Sequence, residues 1–171
     1  AAGANVFLAD GSLNTVNGSH VARIYKSYTL SEDGSEVIDS KKLHKYDAAF
    51  YSKKTMNIDG GEKGTGILNI KAENEGLDSE LHLTINGGNI KINTVDDCIN
   101  AASSIVINEG KLYCMATGND AMDSNGTLII NGGTIFVSGA NAPEGGFDCD
   151  MSSNFTITGG ILIGIGGSNT T

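Results

Sequence analysis

Four stretches of the chain align one above another: LTINGGNIKINT (83–94), IVINEGKLYCMA (105–116), LIINGGTIFVSG (128–139) and FTITGGILIGIG (155–166). They recur after 22, 23 and 27 residues, which is too long for a hairpin meander and suits one coil of a β-solenoid. A unit of this size cannot bury its own apolar face and must stack on its neighbours. The repeat therefore predicts an all-β, right-handed, single-stranded parallel β-helix with coils of about 22–27 residues.

Each repeat contains two strands in which apolar residues occupy alternate positions. Leu83 and Ile85 are typical of the first strand, and Ile90 and Ile92 of the second, so one face of each strand is predicted to lie in the core. Two columns mark the turn between these strands, and we expect both to be structural: glycines with backbone conformations that other residues resist, and polar residues that pass hydrogen bonds between coils. These columns are Gly66, Gly88, Gly110, Gly133 and Gly160, and Asp59, Asn86, Asn108, Asn131 and Thr158.

The composition of the 171 residues argues against several classes of protein. A net charge of −9 argues against a nucleic-acid binder, which needs a positively charged surface. No apolar run is long enough to span a bilayer. Three cysteines, Cys98, Cys114 and Cys149, lack a CxxC spacing and predict neither a disulfide framework nor a zinc site. Cations or positively charged molecules fit the charge better as partners.

The length suits a single domain over 1–171, but its first 55 residues are less regular than the rest. The segments NVFLADGSLNTV (5–16) and AAFYSKKTMNI (48–58) have the pattern of strands. Residues 1–55 are therefore predicted to form irregular N-terminal coils ahead of the regular coils of 56–171. The charged, turn-rich stretch 31–46 is predicted to be a loop inserted between coils.

The second strand of each repeat is followed by a segment that we call the acidic turn. Its copies are NEGLD (74–78), DDCIN (96–100), NDAMD (119–123) and the looser EGGFD (144–148), and the apolar residue in each sets the register. This register stacks Glu75, Asp97 and Asp120 in one column. Two carboxylates one strand spacing apart repel by about 3–4 kcal/mol at an effective dielectric near 20, and a bound cation would offset that repulsion.

Calcium suits the acidic turns best among the common metals. It accepts about six to eight oxygens from carboxylates, amides and backbone carbonyls in irregular geometry, whereas magnesium requires a stricter octahedron and no His/Cys cluster exists for a transition metal. An acidic edge that is simply exposed to water is the alternative. The candidate calcium ligands are Glu75, Asp78, Asp96, Asp97, Asn119, Asp120, Asp123, Asp148 and Asp150.

The outward positions of the second strands form a further column, which we call the outer row: Asn69, Lys91, Tyr113, Phe136 and Ile163. Two aromatic side chains flanked by a lysine and amides on a flat sheet can stack against sugar rings and hold hydroxyls or carboxylates. Lys91, Tyr113 and Phe136 are therefore candidate carbohydrate-binding residues. Cross-strand packing of the same rings and contact with a second copy of the chain are the alternatives.

Taken together, these features resemble a known family, the right-handed parallel β-helix carbohydrate-binding domain of secreted, cell-surface proteins of cellulolytic bacteria. The resemblance is carried by FLADGSLNTV (7–16), AAFYSK (48–53), the LTINGG-type strands and the acidic turn, which in that family usually runs Asn-Asp-Gly-Ile. The chain departs from the family where Cys98 and Ala121 replace the turn glycine and where Gly145 replaces the stacked acid.

The resemblance implies a fold similar to that of family 9 pectate lyases, with several calcium ions bound through the acidic turns. It also implies binding of cellulose-like or polygalacturonate polysaccharides without lyase activity. The expected location is extracellular or on the bacterial cell surface.

Two other functions remain open on the sequence. A pectate-type lyase needs a lysine or arginine base near calcium, and Lys91 and Lys71 are the nearest candidates. A self-assembling structural protein is the second, because GGILIGIGGSNTT (159–171) follows a strand without an evident polar capping repeat. Open solenoid ends expose strand edges that can pair with another copy and give head-to-tail filaments.

Overall fold

A computed structural model of the chain describes residues 3–18, 25–42 and 48–167, and these form a parallel β-solenoid. In chain order the described strands are β1 (Gly3–Phe7), β2 (Leu13–Gly18), β3 (Tyr25–Leu30), β4 (Val37–Lys42), β5 (Phe50–Ser52), β6 (Thr55–Asp59), β7 (Ile67–Ala72), β8 (Leu77–Ser79), β9 (His82–Ile85), β10 (Asn89–Thr94), β11 (Ile99–Ala101), β12 (Ser104–Ile107), β13 (Lys111–Ala116), β14 (Met122–Ser124), β15 (Thr127–Ile130), β16 (Thr134–Ser138), β17 (Asp148–Cys149), β18 (Phe155–Ile157) and β19 (Ile161–Ile165). A short 3-10 helix spans Ser152–Asn154. No helix in these ranges is long and apolar enough to cross a membrane.

The coils build three parallel sheets. Sheet 1 consists of β1, β6, β9, β12, β15 and β18; sheet 2 of β2, β7, β10, β13, β16 and β19; and sheet 3 of β5, β8, β11, β14 and β17. A regular coil passes through sheet 3, sheet 1 and sheet 2 in turn, and the acidic turn then leads into the next coil. Ile105 pairs with Leu83 on one side and Leu128 on the other, which confirms the predicted repeat and the parallel solenoid.

The core consists of the inward residues of the predicted alternation. Ile85, Ile107 and Ile130 of sheet 1 are fully buried. Ile157 continues this column through its pairing with Ile130 but is 56% exposed, because β18 is the outermost described strand of sheet 1. Alternation therefore predicts which way a side chain points, whereas its burial also requires a coil on each side.

The polar column between sheets 1 and 2 forms a hydrogen-bonded ladder, as predicted. The Asn108 amide Nδ2 donates to Asn86 Oδ1, and Asn131 Nδ2 donates to Asn108 Oδ1, both at 2.8 Å. The Thr158 hydroxyl extends the ladder by donating to Asn131 Oδ1 at 2.9 Å. Asp59 differs, because its carboxylate accepts the backbone N–H of Gly61 and so closes its own turn.

The glycine column beside this ladder is needed for two different reasons. Gly133 has a φ of 93°, and a Cβ there would lie 2.8 Å from the carbonyl oxygen of Gly110. Gly66 is not among the glycines of positive φ, but a Cβ there would lie 2.4 Å from that of Leu8. Left-handed backbone and close packing therefore both account for the column.

The predicted loop of 31–46 is wrong in part, because Val37–Lys42 is a strand. β4 pairs with β3 in an antiparallel hairpin, in which Thr29 faces Asp39. The Asp33 carboxylate closes the connecting loop by accepting hydrogen bonds from the hydroxyls of Ser31 and Ser35. Charge does not distinguish a loop from an exposed two-stranded ribbon, and residues 43–46 of the prediction lie outside the described ranges.

Candidate functional site

The turns between sheets 2 and 3 bring the predicted acidic residues to one corner of the solenoid. The register of sheet 3 places Asp78, Asn100, Asp123 and Asp148 side by side on successive strands. The turn backbones stack as well, since the N–H of Gly76 donates to the carbonyl of Asp97 at 3.0 Å. The sequence alignment of the acidic turns is therefore also their alignment in space.

Asp97 lies in the interior of this corner and carries an unsatisfied oxygen. Its side chain is only 4% exposed, and its Oδ1 atom is buried without a hydrogen-bond partner. Burial, together with the charges of Asp123, Asp96 and Glu75, raises the pKa of Asp97 to about 9. A negative charge at Asp97 is therefore opposed by both desolvation and its neighbours.

The two acids on the next coil experience the same combination. Burial raises the pKa of Asp120 to about 6, although the backbone N–H of Gly145 bonds to its carboxylate and acts in the opposite direction. Burial raises the pKa of Asp123 to about 7, with Asp148 as the largest neighbouring charge. The corner therefore contains more carboxyl groups than its surroundings can stabilise in the ionised form.

Amide side chains connect adjacent acidic turns. The Asn100 amide Nδ2 donates to Glu75 Oε1 at 3.1 Å, and Asn119 Nδ2 donates to Asp96 Oδ1 at 2.7 Å. The side-chain oxygen of Asn100, Oδ1, is buried without a hydrogen-bond partner, as is Asp97 Oδ1. Two orphaned oxygens in one corner are unusual, because buried polar atoms are normally hydrogen-bonded.

Two residues of this corner were not among the predicted ligands. Asn100 was aligned with the acids but has no charge, and its register with Asp78 and Asp123 is the signal that identifies it. The charge of Glu144 raises the pKa of Asp120. Asp150, which was predicted, is exposed and acts on the corner by raising the pKa of Asp123.

The side chains as they stand do not form a complete metal centre. Within 3–18, 25–42 and 48–167, no group of three or more His, Cys, Asp or Glu side chains could hold a metal ion. The donor set is nevertheless of the type that calcium uses, namely carboxylate and amide oxygens with backbone carbonyls nearby. The orphaned oxygens of Asp97 and Asn100 are the atoms that a cation would satisfy.

The outer row lies on the outward face of sheet 2 in the predicted order. Lys91 pairs with Asn69 on one side and Tyr113 on the other, and Phe136 follows Tyr113. The ring centroids of Tyr113 and Phe136 are 6.5 Å apart with an interplanar angle of 36°. Tyr113 is 46% exposed, so much of its ring remains accessible. Ile163 continues the row on the outermost strand.

A shallow cavity of about 540 Å³ borders the outer row on the side of the acidic turns. Its walls include Lys71, Asn93 and Met115, which form the next outward row of sheet 2, and Asn17 extends that row onto β2. Met115 is 48% exposed. The outer row and the cavity thus form one surface with apolar and hydrogen-bonding parts.

This surface differs in charge from the rest of the protein. The whole chain has a net charge of −9, with 20 acidic residues. The six strands of sheet 2 nevertheless contain three lysines, Lys71, Lys91 and Lys111, and neither Asp nor Glu. The strands of sheet 2 therefore carry net positive charge on an acidic molecule, and Glu73 is the acidic residue in the wall of the adjoining cavity.

Fold and site together define a parallel β-solenoid with a buried acidic corner and a flat face that displays aromatic side chains and lysines. A family model described as "Carbohydrate-binding domain-containing protein" matches residues 2–170, and the chain belongs to that family. No curated protein and no solved structure matches the chain.

Proposed function

We propose that this protein is a non-catalytic polysaccharide-binding protein, located outside the bacterial cell, whose coils are joined by calcium at the acidic turns. The observation that carries the proposal is the outer row, in which Lys91, Tyr113 and Phe136 lie side by side on strands that contain neither Asp nor Glu. Membership of a carbohydrate-binding family supports the same class of partner.

The outer row has the chemistry that a sugar chain requires. The exposed ring of Tyr113 offers an apolar surface for the C–H face of a pyranose, as aromatic side chains do when one end is apolar and the other wet. The amide of Asn69 and the ammonium of Lys91 lie next in the row and can bond to hydroxyls. Because the row repeats at the strand spacing of about 4.8 Å, the polysaccharide would run across the strands, along the solenoid axis.

The lysines favour polygalacturonate over a cellulose-like chain. A polyanion approaches a protein of net charge −9 only where the local potential is positive. Lys71 and Lys91 supply that potential at the outer row and its cavity. A neutral glucan would use the rings and amides but gain nothing from the lysines.

Calcium fits the acidic corner through the two orphaned oxygens. Asp97 Oδ1 and Asn100 Oδ1 are buried acceptors without donors, and both are oxygens of the kind that calcium binds. It would also offset the charges that raise the pKa of Asp97. When bound, calcium would supply the positive charge that holds adjacent acidic turns together.

Retardation in native gels that contain polygalacturonate is the measurement that tests the proposal. The protein is expected to migrate more slowly than in a plain gel, and Tyr113→Ala is expected to weaken binding by about tenfold, or about 1.4 kcal/mol, because it removes a central exposed ring. Phe7→Ala is the matched control, since Phe7 is an exposed aromatic residue on sheet 1 and its loss should leave mobility unchanged.

Three results would contradict the proposal. Unchanged mobility in gels of both polygalacturonate and cellulose derivatives would exclude polysaccharide binding of this kind. Equal effects of the Tyr113 and Phe7 substitutions would remove the outer row as the site. Release of unsaturated sugar products from polygalacturonate would show that the protein is a lyase.

Self-association is a second candidate function, and β19 is the observation that favours it. Ile161, Ile163 and Ile165 point outward from this strand and are 52–63% exposed, and β19 is the outermost described strand of sheet 2. Contiguous exposed apolar side chains mark surfaces of protein–protein contact. Light scattering should then show assemblies that grow with protein concentration, whereas a constant monomer mass would contradict this function.

A further inference from the structure

Two of the three cysteines converge in the core beneath an acidic turn. Cys98 and Cys114 are both fully buried. The Cys98 sulfur lies 3.1 Å from the Thr94 hydroxyl and 3.7 Å from the carbonyl oxygen of Ile92. Ile92 is the register partner of Cys114 on the neighbouring strand, so Cys98 projects toward the strand pair that contains Cys114.

The preceding coil shows how close these two positions lie. Gly76 aligns with Cys98 and Ile92 aligns with Cys114, and a Cβ at Gly76 would lie 2.5 Å from Ile92 Cγ2. The third cysteine, Cys149, is only partly buried. It lies on β17, directly after the acidic turn of 144–148. The Cys149 thiol donates a hydrogen bond to the backbone carbonyl oxygen of Met151. Cys98 and Cys114 therefore form a pair from which Cys149 is separate.

Packing alone does not require cysteine at either position. Gly76 and Ala121 stand where Cys98 does in the adjacent acidic turns, as the backbone pairing of these turns shows. Ile92 and Val137 are the register partners of Cys114 on the two neighbouring strands. Glycine, alanine or a branched aliphatic residue fills these columns elsewhere, so the adjacent thiols are a special feature of this coil.

We propose that Cys98 and Cys114 form a structural disulfide when the protein folds in an oxidising medium, and that this bond ties the acidic turn of Asp96 and Asp97 to β13. The oxidant is a small-molecule disulfide such as oxidised glutathione. The Cys98 thiolate attacks it and releases one thiolate; Cys114 then attacks the Cys98 sulfur and releases the second. Two protein thiols thus lose two protons and two electrons, and one small-molecule disulfide becomes two thiols.

The order of events follows from burial. Both sulfurs are inaccessible in the folded coil, so exchange takes place while residues 98–114 are still closing or during local opening. The resulting bond links positions 16 residues apart (114 − 98), which removes freedom from the unfolded chain and stabilises the fold. This inference is independent of the proposed polysaccharide binding.

Refolding of the full chain from a reduced, denatured state in a glutathione redox buffer tests the proposal. Free thiols are then alkylated, and the unreduced protein is digested and analysed by mass spectrometry. The expected result is a peptide that joins Cys98 to Cys114, with Cys149 alkylated. Reductant is expected to lower the Tm by roughly 5–10 °C in this protein.

Two variants show whether the effect belongs to this pair. Cys98→Ala and Cys114→Val introduce residues that the neighbouring coils already hold in the same columns, so both should fold, and reductant should no longer change their Tm. Cys149→Ser should retain the cross-link and its Tm shift. Alkylation of both Cys98 and Cys114 after oxidative refolding, or a cross-link that involves Cys149, would overturn the proposal.

Discussion

Replacement of Asp97 by asparagine is expected to stabilise the calcium-free protein and to abolish most of the stabilisation that calcium provides. In the unfolded chain this carboxyl is ionised at neutral pH, whereas the folded protein must either protonate it or bury its charge beside other acids. Asparagine avoids both costs and keeps the shape. We expect a gain of about 1–3 kcal/mol in the free energy of unfolding without calcium.

Calcium should narrow or reverse the difference in stability between the two proteins. At a calcium concentration roughly 100 times the Kd, binding adds about 2.7 kcal/mol to the wild type, and Asp97→Asn removes a charged ligand from the proposed site. Denaturant unfolding followed by circular dichroism, in calcium-depleted and calcium-containing buffers, measures both effects.

Asp10→Asn is the matched control for this comparison. Asp10 also lies in a turn of the solenoid, but its carboxylate accepts the backbone N–H groups of Lys63 and Thr65, which lower its pKa. This variant should lose stability equally in both buffers. A loss of stability in calcium-free Asp97→Asn, or an undiminished response of that variant to calcium, would contradict the role assigned to the acidic corner.

The sequence predicts the solenoid well because one periodicity serves two purposes. Alternation of apolar residues such as Leu83 and Ile85 identifies the inward face, and its recurrence at Ile105 and Leu128 identifies the strand that pairs with it. The repeat therefore predicts directly which strands pair in parallel. The hairpin of β3 and β4 stands outside this repeat, and its charged residues resemble those of a loop.

The candidate site is predictable in position but not in energetics. Stacking places Asp97 and Asp120 on adjacent coils from sequence alone. The sequence does not reveal that Asp97 Oδ1 and Asn100 Oδ1 lack donors, because that depends on side-chain directions within each turn. The sequence does not reveal the approach of Cys98 to Cys114 either, since the two belong to different columns of the repeat.

The acidic turns and the outer row are mechanically connected through sheet 2. β10 ends at Thr94, and the acidic turn with Asp96 and Asp97 follows at once. The spacing between adjacent turns is therefore also the spacing between Lys91 and Tyr113 on the outer row. A cation that holds the turns together would keep the face flat and its rings in register.

Stability in the absence of calcium is expected to fall as the pH rises from about 4 to about 9. The pKa of Asp97 is raised to about 9, that of Asp123 to about 7 and that of Asp120 to about 6, all from an ordinary value of 3.8. Between the unfolded and folded values the folded protein binds more protons than the unfolded chain. That excess stabilises the fold at low pH, and the stabilisation is lost as the pH passes through the folded pKa values.

The slope should be about 1.4 kcal/mol per pH unit for each extra proton that stays bound, measured as the total for a coupled group of acids. Unfolding curves at pH 5, 6, 7 and 8 in calcium-depleted buffer give this slope, and Asp97→Asn should reduce it. Calcium binds the ionised carboxylates, so its own stabilising effect should grow with pH and flatten the curve. Calcium-free stability that rises with pH would show that the corner does not bury these acids, and the proposed cation site would lose its physical basis.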